Sequence, residues 1–252
     1  MSVVVVLVEP AGPLNVGSVA RLCANFAISQ LRLVAPRCDH LGPEARQMAV
    51  HGEALLEQAT LFPDLAAALA DCRHVVATSG RIETEQLPLS EPGPALAWLK
   101  QGAEAEGSPA ALVFGREDRG LSNGELLQAG RVVRLATSPA YASLNLSHAV
   151  AICLHELQRA GAVGQEPART NAADAADADQ TPALCNRGAL EAALADAEAL
   201  LLEVGFLYPH TARARMGKLR ALLQRAQVSQ QEVALLRGMV RQLRWAAHRQ
   251  TP

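Results

Sequence analysis

Three stretches of this sequence carry the residue types that chemistry needs. The first follows an apolar run: Glu9-Pro10-Ala11-Gly12-Pro13-Leu14-Asn15-Val16-Gly17-Ser18-Val19-Ala20-Arg21. Asn15 is placed to cap a helix beginning near Val16, and Gly17 lets another backbone come close. Arg21 then lies about one turn inside, near a helix end that welcomes a phosphate. A plainly capped helix with a surface arginine fits the same residues. The second stretch is Gly115-Arg116-Glu117-Asp118-Arg119-Gly120-Leu121-Ser122. A charged cluster bracketed by glycines after a strand is where a polar ligand is held, or an ordinary turn in which Ser122 or Asn123 caps the next helix. The third, Ser138-Pro139-Ala140-Tyr141-Ala142-Ser143-Leu144-Asn145-Leu146-Ser147, leads into an alanine-rich helix, with Ser143 and Asn145 serving as caps or as polar site groups.

Other chemistries find less support. The Gly-Lys-Ser/Thr ending of a P-loop is missing from the first stretch, as is G-x-G-x-x-G. No G-x-S-x-G elbow surrounds a serine, which argues against a Ser–His–Asp hydrolase. His148 and His155 are seven apart on one helical face without a third ligand nearby, so no metal is expected. The five cysteines, Cys23, Cys38, Cys72, Cys153 and Cys185, are scattered and form no C-x-x-C, which suggests buried, reduced thiols in a cytoplasmic protein.

The elements that must position these stretches alternate. Residues 3–8, 31–34, 75–78, 111–114 and 132–135 look like buried strands, while 16–27, 65–70, 95–100 and 145–159 carry helical spacing. This alternation predicts an α/β fold with a mainly parallel sheet covered on both faces, whose ligands sit beyond the carboxyl ends of the strands. The apolar start of the chain stops too soon for a signal peptide or a membrane span and reads as a strand. Half of the residues are hydrophobic but only 3% are aromatic, so the core is mostly Val, Leu and Ala. That scarcity argues against single-stranded RNA being read on an aromatic platform.

Near Gly161 the pattern dissolves. Residues 161–180 are Ala, Gly, Asp, Gln and Pro with almost no large apolar side chain, as in a mobile linker. Three amphipathic segments follow at 187–204, 212–226 and 229–249, with Pro209 between the first two and Ser229 as N-cap of the last. A helical hairpin or small bundle is expected, too small to stand well alone. The formal net charge is −2, yet from His210 onwards Arg213, Arg215, Lys218, Arg220, Arg225, Arg237, Arg241, Arg244 and Arg249 face one acid, Glu232. Such a tail suits either a nucleic-acid footprint or a solvated helix surface.

Taken in order, Asn15-x-Gly17-Ser18-Val19-Ala20-Arg21, Leu112-Val113-Phe114-Gly115-Arg116-Glu117 with Gly120-Leu121-Ser122-Asn123, and Ser143-Leu144-Asn145-Leu146 resemble the three motifs of the TrmH-like SPOUT RNA 2′-O-ribose methyltransferases. The likeness covers roughly residues 1–160. Within the family, Thr78-Ser79-Gly80-Arg81 and the tail around Gly205-Phe206-Leu207, Lys218-Leu219-Arg220 and Leu235-Leu236-Arg237-Gly238 point to the branch acting on the tRNA anticodon loop.

The resemblance implies a methyltransferase domain over 1–160 with a trefoil knot in the carboxyl-terminal part of its sheet. A linker over 161–182 and a small all-α extension over 183–252, which binds tRNA and supports a dimer, complete the chain. It implies S-adenosylmethionine as cofactor, leaving S-adenosylhomocysteine, held by Thr78, Ser79, Gly80, Gly115, Leu135, Ala142, Ser143 and Leu144 largely through backbone groups. Arg21 becomes the principal catalytic residue, oriented by Asn15, with Glu117, Ser143 and Asn145 completing the site. A homodimer is implied, the Arg of one subunit facing the cofactor of the other, with tRNA as partner and neither metal nor membrane. Two alternatives remain: an rRNA 2′-O-methyltransferase, since the motifs are shared, and an RNA-binding module without catalysis.

Overall fold

The computed structural model describes residues 2–80, 89–104, 108–138, 140, 143–162 and 183–249, and the chain divides into two compact units, Met1–Gln165 and Glu166–Pro252. In the first unit the described elements run β1 (Val3–Val8), α1 (Pro13–Asn25), β2 (Gln30–Val34), α2 (Pro43–Ala49), α3 (Glu53–Glu57), β3 (Thr60–Phe62) and α4 (Leu65–Leu69). Then come β4 (Val75–Thr78), β5 (Leu89–Ser90), α5 (Pro92–Glu104), β6 (Ala110–Phe114), α6 (Asn123–Leu126), β7 (Arg131–Val133) and α7 (Leu146–Ala162). The expected parallel sheet is present, seven strands in the order β3-β2-β1-β6-β4-β7-β5 with every pair parallel.

Burial on both faces explains the unbroken apolar run of β1. All six of its residues are buried, as a parallel sheet covered twice requires. Val3, Val5 and Leu7 join one cluster with Val16 and Val19 of α1, Leu96 and Leu99 of α5, and Val150 and Leu154 of α7. Val4, Val6 and Val8 point the other way and are equally sequestered. The fit between α1 and α2 depends on Gly17: a Cβ there would collide with the Ala45 carbonyl. Gly17 therefore allows the close backbone approach that its position suggested.

Strands 3–8 and 75–78 fall where the apolar runs placed them, and the others differ by one or two residues at an end. Among the expected helices α5 differs most, running from Pro92 to Glu104 where 95–100 was expected, and the start of α1 also moves. Helix α1 begins at Pro13, not near Val16, because proline's fixed φ and missing N–H suit the first helical position. Strands β3 and β5 and helices α2 and α3 were not anticipated, being too short for a period to declare itself, whereas α6 is the helix that Ser122 or Asn123 was expected to cap.

The second unit contains α8 (Arg187–Glu203), α9 (Pro209–Arg225) and α10 (Gln230–Arg249). They share a small core of Cys185, Leu190, Leu194, Leu207, Met216 and Val233. Ser229 caps α10 as expected: its Oγ accepts from the Glu232 backbone N–H at 3.2 Å, and the Glu232 carboxylate accepts from the Ser229 N–H at 2.7 Å. The segment expected as a linker lies almost wholly outside the described residues. Among those residues no helix is long and apolar enough to cross a membrane.

Candidate active site

Strands β1, β6, β4 and β7 are consecutive in the sheet, so the loops leaving their carboxyl ends converge. Between them lies a cleft of about 320 Å³. Thr78, Ser79 and Gly80 line it from β4, Gly115 and Glu117 from β6, Leu135 from beyond β7, and Ser143 and Leu144 from the approach to α7. Phe114, Leu121 and Leu146 supply apolar wall, and Asp118 and Arg119 add charge. Seven of the residues expected to hold a cofactor thus share one cavity; Ala142 lies outside the described residues. Asn15, Arg21 and Asn145 are not among the lining residues.

Glu117 ties the first two motifs together. Its carboxylate accepts from the backbone N–H of Ala11 at 3.1 Å and of Gly12 at 3.0 Å, and from Asn15 Nδ2 at 3.0 Å. Helix α1 has no side-chain cap of its own; Gly12 occupies that position. Glu117, from a distant loop, supplies the negative charge that the helix N-terminus favours. The Asn15 side chain, expected as a cap, is instead inside the first turn and turned towards Glu117. Arg21 sits eight residues beyond Pro13, deeper than expected, and the helix end it was to share with a phosphate is already filled by a carboxylate.

The third motif joins through Asn145. Its Oδ1 accepts from Ser147 N–H at 2.9 Å and Ser147 Oγ at 2.7 Å, capping α7, while its Nδ2 donates to Asn15 Oδ1 at 3.1 Å. Asn145 is therefore a cap of α7 and, at the same time, a link to Asn15. The chain of bonds has a fixed sense: the cap uses the Asn145 oxygen, which leaves its amide to donate to the Asn15 oxygen. Asn15 must then donate to Glu117, which as a carboxylate can accept alone. Burial pushes the Glu117 carboxyl up, but the bonds from Asn15, Ala11 and Gly12 outweigh it and hold it below its ordinary value. Asn15 spends both amide atoms in this chain and makes no hydrogen bond to Arg21, whose guanidinium is exposed and without a hydrogen-bond partner among the described residues.

The loop itself is braced by residues that sequence reasoning did not single out. Arg116 donates to both oxygens of Glu125 at 2.9 Å, to the Gly120 carbonyl at 3.2 Å, and to Glu9. The hydrogen bond from Arg116 holds the Glu9 carboxyl down at about 2. Ser122 and Glu125 form a reciprocal cap on α6, a pairing that the Ser-x-x-Glu spacing signalled. The glycines have separate purposes. A Cβ on Gly115 would collide with the backbone of Gly120 and Leu121, so Gly115 lets the loop close on itself, whereas the space beside Gly80 is open. Thr78 Oγ1 donates to the Val113 carbonyl at 3.2 Å and Ser79 N–H to the Val133 carbonyl at 2.9 Å, so both are partly committed to the sheet.

Cys23 and Cys153 lie in the core, where burial pushes their thiols up to about 12 and removes them as nucleophiles at neutral pH. No group of three metal-binding side chains occurs among the described residues.

Residues 2–155 match the SpoU rRNA Methylase family, and residues 188–252 match the C-terminal domain of tRNA methyltransferase TrmJ. The tRNA (cytidine/uridine-2′-O-)-methyltransferase TrmJ of Salmonella typhimurium is 37% identical over 238 residues, covering 94% of this chain and 93% of that protein. The tRNA (cytidine/uridine/adenosine-2′-O-)-methyltransferase TrmJ of Pseudomonas aeruginosa is 34% identical, with 94% and 91% covered. The crystal structure of TrmJ from Z. mobilis ZM4 superposes with a TM-score of 0.80 at 28% identity, over 95% of this chain and 98% of that one.

Proposed function

The chain belongs to the SpoU methylase family, in its TrmJ branch, and we propose from that membership that it transfers a methyl group from S-adenosylmethionine to a ribose 2′-hydroxyl in the anticodon loop of tRNA. The observation that carries the reading is the convergence of three sequence-distant loops through the Glu117–Asn15–Asn145 chain at the rim of one cleft. The tail, which matches the TrmJ C-terminal domain, favours tRNA over other RNA.

The cleft suits the cofactor. Its volume is within the range of small-molecule sites, Leu135, Leu144 and Phe114 offer apolar contact, and the open space at Gly80 admits a group against the backbone. When bound, S-adenosylmethionine supplies an electrophilic methyl group. Glu117, Asn15 and Asn145 hold the loops in register, so alignment of the reactants costs little reorganisation. Ser143 reaches the cleft from the third motif. Arg21 clamps the phosphate beside the target ribose and stabilises the developing 2′-oxyanion, while the proton leaves to phosphate or water. Guanidinium holds its own protons too tightly to be the base.

Arg21 is exposed and outside the lining of its own chain's cleft, which supports a homodimer in which Arg21 of one subunit serves the cleft of the other. The trefoil knot belongs to the same proposal. It draws support from strand order, since the chain passes β4 to the edge strand β5, returns across to β6, and inserts β7 between β4 and β5. The catalytic part spans residues 1–160 and the RNA-binding extension 183–252. Incubation with tritiated S-adenosylmethionine tests the reading: label enters bulk tRNA and not rRNA. Label in rRNA alone would support the rRNA alternative, and none in either would overturn the proposal.

A further inference from the structure

We infer that the turn between α8 and α9 is a stacking site for unpaired RNA bases. The inference rests on the reading of the tail as an RNA-binding element and gives that element a second kind of contact. The low aromatic content argued against base stacking, yet the placement of the few aromatics reverses the argument. Among the described residues the large aromatics more than half exposed are Phe206 at 62%, Tyr208 at 56% and Trp245 at 51%, and all three are in the tail. Arg249 already covers Trp245, its guanidinium carbon 4.2 Å from the ring centre. Phe206 and Tyr208, two apart in the turn, are both largely exposed.

The turn presents them rigidly. Gly205, at φ +74°, takes the left-handed conformation that ends α8. Leu207 N–H donates to the Leu201 carbonyl at 2.9 Å, and the Leu207 side chain, 2% exposed, is buried in the core of the tail. The Tyr208 carbonyl accepts from Thr211 and Ala212 N–H at 2.9 Å, and Pro209 opens α9. Leu207 is anchored inward, while Phe206 and Tyr208 on either side of it are exposed. The His210 ring stacks on Tyr208 with ring centres 5.9 Å apart and an interplanar angle of 21°, so Tyr208 already takes part in a stack that a base can extend.

The surrounding charge selects the occupant. From Val204 to Gln231 the sequence has no acidic residue, while Arg213, Arg215, Lys218 and Arg225 are exposed along α9. Arg215 also donates to the Phe206 carbonyl at 3.2 Å, which ties a guanidinium to the backbone of the turn. An apolar surface fit for another protein carries no such requirement. A polyanion with π faces meets both features, and unpaired RNA is that polyanion.

Fluorescence anisotropy with the full chain tests this, using a labelled single-stranded oligoribonucleotide and an abasic oligomer of equal length and charge. The double variant F206A/Y208A is expected to bind the base-bearing oligomer about tenfold or more weakly. Its affinity for the abasic oligomer and its salt dependence should be unchanged, and its melting temperature close to native, since both rings are exposed. Lys218→Ala should weaken both oligomers equally and flatten the salt dependence. Undiminished binding of the base-bearing oligomer by the double variant overturns the inference. Equal losses on both oligomers, or a change in sedimentation that marks a protein interface, do the same. If the native chain methylates tRNA and the double variant binds as native, the stacking site alone fails. If it methylates no RNA yet loses base-dependent binding in the variant, the methyltransferase reading fails and the stacking site stands.

Discussion

Around the cleft, several charged side chains are held by fixed partners. Arg116 is shared between Glu9 and Glu125, and Glu117 is saturated by Asn15 and two backbone N–H groups. On α9 the reverse holds: Arg213, Lys218 and Arg225 have no hydrogen-bond or ion-pair partner among the described residues, while Arg215 donates to the Phe206 carbonyl and Arg220 is locked to Glu191 at 2.7 Å. The difference separates two uses of polarity. A site that aligns reacting atoms gains from groups fixed before the ligand arrives, because reorganisation is then already done. A surface that follows a phosphate backbone gains from free cations whose counterions are released on binding. Arg21 departs from the pattern of its own region: it is exposed and has no hydrogen-bond or ion-pair partner among the described residues.

Four changes test the contrast. Arg21→Ala should cost the most, roughly a hundred- to a thousandfold in kcat, with S-adenosylmethionine affinity by calorimetry nearly unchanged; full activity would remove Arg21 from the site. Truncation after Ala162, which keeps α7 whole, should weaken tRNA binding on the order of tenfold or more while cofactor binding is retained. Equal losses of both would mean that the tail is structural. Glu117→Gln sets an amide donor against N–H groups that need an acceptor, and should destabilise by about 1–3 kcal/mol. Thermal melting would register this, accompanied by a moderate fall in kcat with no change in the salt dependence of RNA binding.

The smallest effect concerns Glu9. Its carboxyl is depressed from 4.5 to about 2 in the folded protein, so its contribution is complete above 4.5 and is lost as pH falls towards 2. Melting temperatures of the native protein and of Glu9→Gln should therefore differ near neutral pH and converge as the pH drops below 4.5. A gap that kept its neutral-pH size at pH 2 would show that Glu9 acts through shape and not charge.

Much of this was legible before the structure. The unbroken apolar strand 3–8 announced burial on both faces, and the order of the three motifs announced where their loops would meet. What stayed hidden were the partnerships. Nothing local in the sequence tells that the cap of α1 comes from Glu117, a hundred or so residues away, because such a bond depends on the strand order bringing β1 and β6 side by side. Asn145 was ambiguous for a related reason: its oxygen serves a local rule and its nitrogen a distant one, and only the local rule has a spacing to read. Strands of two or three residues such as β5 and β3 leave no period, so edge positions in the sheet were missed. The aromatic count, averaged over the whole chain, concealed a concentration at one turn.

The central claim concerns the 2′-hydroxyl, and alkaline hydrolysis of tRNA labelled by this protein with tritiated S-adenosylmethionine tests it most directly. A methylated 2′-oxygen cannot attack the adjoining phosphate, so the account predicts label in alkali-resistant dinucleotides derived from the anticodon loop. Label released in mononucleotides would place the methyl group on a base and contradict it.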